Sequence, residues 1–215
     1  MKKRNKKGLF IAFEGIDGCG KGTQIKKLLE YINNISKYNP LLLTREPYSD
    51  TDIRTILKSE DNPYSQKEKL TELFIYDRRK HLKNLIKPNL KKGVHVISDR
   101  YSLSTLAYQN AQGMPLNELL RMHKGILIPD IIFLIDISGQ EAVERMQKDF
   151  SRVEEQKFEK SAEFLEKLRK NYLKLSDLKN HNIVLINGMN KPEQIFNEQI
   201  LPAFHKIYNS YNNSR

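Results

Sequence analysis

The sequence predicts an α/β protein with a parallel five-stranded sheet flanked by helices, and three observations lead to that prediction. Short apolar runs alternate along the chain with longer segments whose apolar residues recur at helical spacing. The apolar runs are continuous, which is typical of parallel strands buried on both faces. A glycine-rich loop follows the first run and opens the first helical segment.

The predicted strands are Leu9–Phe13, Leu41–Leu43, Val94–Ile97, Ile131–Ile137 and Ile183–Ile186. The first predicted helix is Gln24–Ser36, because its apolar residues repeat every three or four positions. Ser65 and Glu68 have the spacing of a capping box and open a helix that runs to about Leu85. The remaining predicted helices are Ser102–Ala111, Leu116–Lys124, Gln140–Gln147, about Glu154–Leu178 and Pro192–Tyr208.

The composition predicts one globular domain over residues 1–215, because no linker or change of composition divides the chain. Lys and Arg total 37 against 26 Asp and Glu, so the net charge of +11 favours anionic partners. A solvated basic surface explains the same charge without any partner. No apolar run approaches the length of about 18 residues that a membrane span needs. The single cysteine, Cys19, suits a reducing cytoplasm, and the polar segment 209–215 is expected to be a mobile tail.

The glycine-rich loop matches the G-x-x-x-x-G-K pattern of a phosphate-binding loop, after a strand and before a helix. Its residues are Gly15, Ile16, Asp17, Gly18, Cys19, Gly20, Lys21, Gly22 and Thr23. Glycine allows successive N–H groups to turn towards an anion at the positive end of the next helix. Lys21 is predicted to reach the β- and γ-phosphates of a nucleotide. Gly22 stands where a Ser or Thr usually contacts Mg²⁺, which leaves that contact open between Thr23 and carboxylates.

A second polar group follows the strand that begins at Val94. Asp99 ends this strand, where a carboxylate that faces a phosphate-binding loop can hold Mg²⁺ directly or through water. Arg100 offers a planar fork for a phosphate. An Asp-Arg pair is also common on plain protein surfaces, but ligands of parallel α/β sheets bind at the carboxyl ends of strands. The sequence therefore predicts metal and phosphate binding at this position.

Further segments occur in one order over most of the chain. They are Phe13-Glu14-Gly15-Ile16-Asp17-Gly18, Thr44-Arg45-Glu46-Pro47, Leu73-Phe74 with Asp77-Arg78 and His81, Asp99-Arg100-Tyr101 with Ser104-Thr105 and Ala107-Tyr108-Gln109, and Pro129-Asp130. The ordered set resembles the signatures of thymidylate kinases, a family of P-loop nucleoside monophosphate kinases. The resemblance implies transfer of the γ-phosphate of ATP to dTMP with Mg²⁺. It also implies a homodimer. Together with the single cysteine and the short apolar runs, the expectation is a cytoplasmic protein without a membrane or specific nucleic-acid partner.

The resemblance implies a role for each residue of a base pocket. Phe74 would stack on thymine, and Arg78, four residues later on the same helix face, would donate to a thymine carbonyl. Thr105 and Gln109 would complete the pocket with hydrogen bonds. Tyr108 would lie under the deoxyribose, where a ribose 2′-hydroxyl would clash. Without the resemblance, a core position is the preferred explanation of Phe74.

Other residues are assigned by the same resemblance to the sugar, the metal and the phosphates. Asp17 and Glu46 would contact the 3′-hydroxyl or the metal, and Asp99 would also contact the metal. The residues expected at the acceptor nucleotide are Arg45, Arg54, Arg100 and Ser104. Lys21, Arg100 and Asp17 are the expected catalytic groups outside the lid.

A short lid is expected at about residues 145–155, since Arg152-Val153-Glu154 fits the Arg-x-Glu pattern of the resembled family. The phosphate-binding loop itself contains no arginine, and phosphoryl transfer needs positive charge beside the transferred group. Arg152 is therefore the predicted arginine finger, with Arg145 and Lys148 assisting. Two alternatives remain open at this point. One is a kinase that acts on another nucleoside or nucleotide, and the other is a non-catalytic protein that binds nucleotides or nucleic acid.

Overall fold

The fold is built on a parallel sheet of five strands in the order β2-β3-β1-β4-β5. The strands are β1 Phe10–Glu14, β2 Leu41–Arg45, β3 His95–Asp99, β4 Ile131–Asp136 and β5 Ile183–Asn187. This computed structural model describes residues 7–35, 38–49, 51–59, 66–148 and 161–213. Each predicted strand is present, and the observed bounds differ from the predicted ones by at most two residues.

Burial distinguishes the centre of the sheet from its edges. All five residues of β1 are buried, as are most residues of β3 and β4. The two edge strands, β2 and β5, are partly exposed, and Leu43 and Leu185 are each 50% exposed. The expectation that every strand is buried on both faces is therefore wrong for β2 and β5. Continuous apolar runs do not reveal which strand lacks a neighbour on one side.

Helices flank this sheet and connect its strands. They are α1 Lys21–Ile35, α2 Thr51–Ser59, α3 Lys67–His81, α4 Lys87–Lys91, α5 Ser102–Ala111, α6 Leu116–Met122, α7 Gly139–Lys148, α8 Ala162–Leu175, α9 Pro192–Gln194 and α10 Leu201–Asn213. Two π-helical segments, Leu82–Ile86 and Ile195–Ile200, join α3 to α4 and α9 to α10. None of the helices in the described ranges is long and apolar enough to cross a membrane.

The helical predictions differ from the structure at two points, and a third lies outside the described residues. The sequence prediction missed helix α2, because Ile53 and Ile56 are the only buried residues among positions 51–57, the part of the helix whose side chains are described, and the periodic signal is short. The predicted cap Ser65 lies outside the described residues, and α3 begins after Gln66 without a side-chain cap. Helix α10 continues to Asn213, which takes it into the segment that the sequence marks as a tail.

The strand order places the two predicted polar groups side by side. Strand β1 lies between β3 and β4, and Phe13 of β1 is in register with Asp99 of β3. The backbone N–H of Arg100 donates to the carbonyl of Phe13 at 2.9 Å. The loop after β1 and the loop after β3 therefore leave the sheet together at its carboxyl edge, where ligands of such sheets bind.

Candidate active site

The loop between β1 and α1 has the backbone conformation of an anion cradle. Gly15, Gly18 and Gly20 have φ values of 134°, 76° and 95°, which L side chains rarely adopt. The Lys21 ammonium folds back over the loop and donates to the carbonyls of Gly15 and Ile16 at 3.0 and 2.9 Å. Its side chain is buried at the start of α1. Lys21 is thus held beside the inward-turned backbone, where a bound phosphate would lie.

Two of these glycines also have no space for a side chain. A Cβ on Gly15 would come within 2.5 Å of the Ile135 carbonyl oxygen, and a Cβ on Gly18 within 2.7 Å of the Ala142 carbonyl oxygen. Gly22 differs, because a Cβ there would meet nothing within 4 Å. The Gly at position 22 is therefore not required by packing. Thr23, next to it, is exposed in the first turn of α1.

Arg100 links the loop after β3 to the phosphate cradle. Its backbone has a positive φ of 68°, which is uncommon for a residue other than glycine. The guanidinium donates to the Asp17 carboxylate at 2.6 Å and to the Gly15 carbonyl at 3.2 Å. It also donates to the hydroxyls of Ser104 and Tyr108, and the Tyr108 hydroxyl itself donates to Asp17 at 2.9 Å. The structure therefore brings these predicted residues into one cluster.

A buried carboxylate that sequence reasoning assigned to no role supports this cluster. Glu14, the last residue of β1, is fully buried and accepts from the N–H groups of Tyr101 and Ser104 at 2.8 and 3.2 Å. It also accepts from the Ser104 hydroxyl at 2.6 Å and lies 3.5 Å from the Tyr172 hydroxyl. Helix α5 has no cap of its own, so Glu14 caps it from another strand. Burial raises the pKa of Glu14, and its hydrogen bonds and Arg100 oppose that rise.

Arg78 stands at the centre of a second cluster, whose members are buried except for the half-buried His123. Its side chain is 1% exposed and pairs with Glu46, with a closest N–O distance of 2.6 Å. It also donates to the Tyr101 carbonyl at 3.1 Å and to the Thr105 hydroxyl at 2.9 Å. The remaining contact is to the imidazole of His123 at 3.0 Å. Arg78 therefore contacts Thr105, which was predicted for the same base pocket, and also Glu46, which was predicted for the 3′-hydroxyl or the metal.

The protonation state of His123 follows from this contact. A guanidinium can only donate, so the His123 Nε2 that faces Arg78 is the acceptor. The Nδ1–H then donates to the Leu119 carbonyl at 2.7 Å. Burial, followed by the charge of Arg78, lowers the pKa of His123 to about 4. Neutral His123 is a site residue that the sequence did not single out, since a lone histidine after α6 carries no pattern.

Histidine 81 and Asp77 fix the chain that leaves β2. His81 lies between the Glu46 carboxylate at 3.1 Å and the Thr44 hydroxyl at 2.8 Å, and its ring stacks on Tyr48. Asp77 is 1% exposed and accepts from the N–H groups of Tyr48 and Ser49. Both side chains come from α3, so the helix that carries Arg78 also positions Glu46.

The other predicted acceptor residues range from buried to exposed. Gln109 is buried and donates to the Lys67 carbonyl and the Thr71 hydroxyl at 3.0 and 3.1 Å. Phe74 is half-buried on α3. Arg45 and Arg54 are exposed, Arg45 at the end of β2 in register with Asp99, and Arg54 on α2.

Asp99 has one carboxylate oxygen that could bind a metal ion. Its Oδ1 is buried and makes no hydrogen bond within the described ranges. Asp17, the other predicted ligand, is already paired with Arg100. Mg²⁺ is usually bound by one or two carboxylates together with phosphate oxygens and water, and Asp99 fits that role. Within the residues that the structure describes, no group of three or more His, Cys, Asp or Glu side chains forms a metal cage.

The predicted lid is only partly within the described residues. Arg145 pairs with Glu141 at 2.6 Å and donates to the Gly188 carbonyl, and Lys148 is exposed at the end of α7. Arg152 lies outside the described residues. Further along the chain, Arg169 of α8 forms a bidentate pair with Asp136 at the end of β4.

A phosphate cradle with its lysine, an Asp-Arg pair on the adjacent strand and a five-stranded parallel sheet define a P-loop kinase. Comparison with known proteins narrows this class. The sequence model described as thymidylate kinase matches residues 13–200. A probable thymidylate kinase of Thermococcus kodakarensis is 37% identical over 202 residues, which are 89% of this chain and 95% of that protein. A probable thymidylate kinase of Methanosarcina mazei is 39% identical over 197 residues, 88% of this chain and 92% of that protein.

A solved structure agrees with these sequence matches. The crystal structure of thymidylate kinase from Ehrlichia chaffeensis superposes with a TM-score of 0.71 at 27% identity. The alignment covers 92% of this chain and 99% of that chain. The chain therefore belongs to the thymidylate kinase family.

Proposed function

We propose that this chain transfers the γ-phosphate of ATP to dTMP, giving dTDP and ADP. The observation that carries the proposal is the position of Arg100, which bonds to both the Gly15 carbonyl and Asp17. One guanidinium thereby joins the phosphate cradle to the loop after β3. Donor and acceptor phosphates that bind on the two sides of Arg100 would lie next to each other, which is the positioning that phosphoryl transfer requires.

The donor is held by the loop from Gly15 to Thr23 in this proposal. Its N–H groups and Lys21 surround the β- and γ-phosphates, and Lys21 exchanges its carbonyl partners for phosphate oxygens. Mg²⁺, held by Asp99 through its unpaired Oδ1 and by Asp17, would offset phosphate charge. Arg152 is proposed as the arginine finger on the strength of its sequence pattern.

The acceptor is held between α3 and α5. Phe74 stacks on the thymine, and Gln109 and Thr105 orient its polar edge together with Arg78. Because the Arg78 guanidinium is already bonded to Glu46, Thr105 and Tyr101, it is rigid before dTMP binds. Tyr108 lies beside the sugar, and the acceptor phosphate is held by Arg45, Arg54 and Arg100, with Ser104 supporting Arg100.

The experiment is ADP production from ATP and Mg²⁺ with dTMP, dUMP, AMP and thymidine as parallel acceptors. We expect turnover with dTMP to exceed turnover with AMP and thymidine. Lys21→Ala should lower kcat by more than a hundredfold, since loss of one charge-stabilising contact costs about 3 kcal/mol. Lys26→Ala, five residues later on the exposed side of α1, is the matched control and should keep the parent rate.

Different results would favour the rival functions. Preference for AMP or a nucleoside would indicate another kinase of this fold. Absence of turnover with all four acceptors, together with salt-sensitive nucleic-acid binding, would indicate a non-catalytic binding protein. We also propose that the protein is cytoplasmic and forms a homodimer. Sedimentation at several protein concentrations would test the dimer.

A further inference from the structure

A basic groove lies between the α3–α4 segment and the loop that follows α6. Its volume is about 550 Å³, and its charged lining consists of Arg79, Lys83, Lys87 and Lys91. All four side chains are exposed. They are spaced four residues apart, so they follow one face of the continuous helical segment over about 18 Å.

The groove is unusual because no acid balances these cations. No Asp or Glu lines it, and the four side chains make no ion pair with any of the residues that the structure describes. Like charges four residues apart destabilise a helix. Elsewhere the chain places an acid at this spacing, as in the pairs of Lys26 with Glu30 and Arg145 with Glu141. A row of cations over a concave surface, with no acid in its lining, attracts anions.

The floor of the groove is apolar. Leu82 is 3% exposed and lies between the first two cations in sequence, and Pro88, Gly125 and Ile126 complete the lining. A volume of about 550 Å³ lies within the range of small-molecule sites, which combine apolar walls with a few placed polar groups. The groove therefore fits a compact ligand with several negative charges and an apolar part.

The groove and the Arg78 cluster are formed by the same two segments of the chain. Arg79 in the groove is adjacent to Arg78, and Ile126 lies three residues after His123, which bonds to Arg78. Arg79 also acts on His123, since its charge contributes to the lowered pKa of that imidazole. An anion bound in the groove would offset the charge of Arg79 only one residue from the buried Arg78 cluster.

We propose that this groove is a second anion site, which binds a multiply phosphorylated ligand of nucleotide size. The proposal does not depend on the transferase activity. A nucleoside triphosphate and inorganic polyphosphate carry the same recognised group, a chain of phosphates. The apolar floor of Leu82, Pro88 and Ile126 favours the nucleotide.

The test is calorimetric titration of the full chain with inorganic tripolyphosphate and with dTTP. We expect two classes of site for tripolyphosphate, one in the phosphate cradle and one in the groove. Lys83→Glu with Lys87→Glu should weaken the groove class by about tenfold or more, because each reversal removes a charge-assisted contact. Lys21→Ala should remove the other class, and tighter binding of dTTP than of tripolyphosphate in this background would identify the nucleotide as ligand.

The control is Lys170→Glu with Lys174→Glu, two exposed lysines at the same spacing on α8. Both double variants change the net charge equally, so a general charge effect would weaken binding in both. ADP production with dTMP is measured on every sample and should be unchanged in both double variants, which separates failure of this proposal from failure of the transferase assignment. Retention of both classes after the groove reversals, an equal loss in the control, or binding of a single-stranded oligonucleotide but not tripolyphosphate would overturn the proposal.

Discussion

Replacement of Arg78 by alanine is expected to affect stability as well as dTMP binding. Arg78 and Glu46 are 1% and 5% exposed, so the substitution leaves a carboxylate buried without its main partner. Breaking a buried pair in this way costs about 3–5 kcal/mol. The loss of donors to Thr105 and the Tyr101 carbonyl acts in the same direction. For a chain of this size, the midpoint of thermal unfolding should fall by roughly 6–20 °C.

The assay is denaturant unfolding of four chains: the parent, Arg78→Met, Glu46→Leu and the double variant. Because the double variant contains no unpaired charge at this position, its loss of unfolding free energy should be smaller than the sum of the single losses by about 2 kcal/mol or more. Arg79→Ala is the control, since its side chain is exposed, and it should change the free energy by less than about 0.5 kcal/mol.

Kinetics then separate stability from base recognition. At a temperature where Arg78→Ala remains folded, the KM for dTMP should rise far more than the KM for ATP, because a site built for a hydrogen bond discriminates strongly once that group is missing. If Arg78→Met loses less than about 1 kcal/mol of unfolding free energy, the claim that Arg78 stabilises the buried cluster is refuted. An equal rise in both KM values would refute its role in reading the base.

Three further predictions concern other positions of the site. The pKa of His123 is about 4 in the folded chain against an ordinary 6.5. Its neutral form therefore stabilises the fold above pH 6.5, and this contribution is lost as the pH falls towards 4. The difference in unfolding free energy between pH 7 and pH 5 should be about 2 kcal/mol smaller in His123→Gln than in the parent. Glu14→Gln should lower kcat more than it raises either KM, because it loosens the cap that holds Arg100. A loss of stability with unchanged kcat would contradict that positioning role. Gly15→Ala should unfold at a lower temperature than Gly22→Ala in a thermal melt. Of these two glycines, only Gly15 combines a positive φ with a carbonyl 2.5 Å from the new Cβ. Equal melting points would count against this conformation of the loop.

Much of the architecture could be predicted from sequence because the signals are local. A buried parallel strand needs a continuous apolar run, and an anion cradle needs glycines at fixed positions before a lysine, so β1 and the loop from Gly15 to Lys21 were predictable. The ordered motifs indicated which helix carries Arg78 and which carries Thr105. Those two residues are in direct contact in the structure, and their sharing of a base pocket stays a prediction.

What the sequence alone determined was therefore the class of the fold, its family and the set of polar residues at the carboxyl edge of the sheet. Only the tertiary structure decided how those residues are paired. Glu14 caps a helix whose bonded residue Ser104 lies 90 positions away in sequence. His123 accepts from Arg78, which lies 45 positions away. Burial and charge pairing depend on what surrounds a side chain in space, and the periodicity of the chain carries no information about neighbours at that separation.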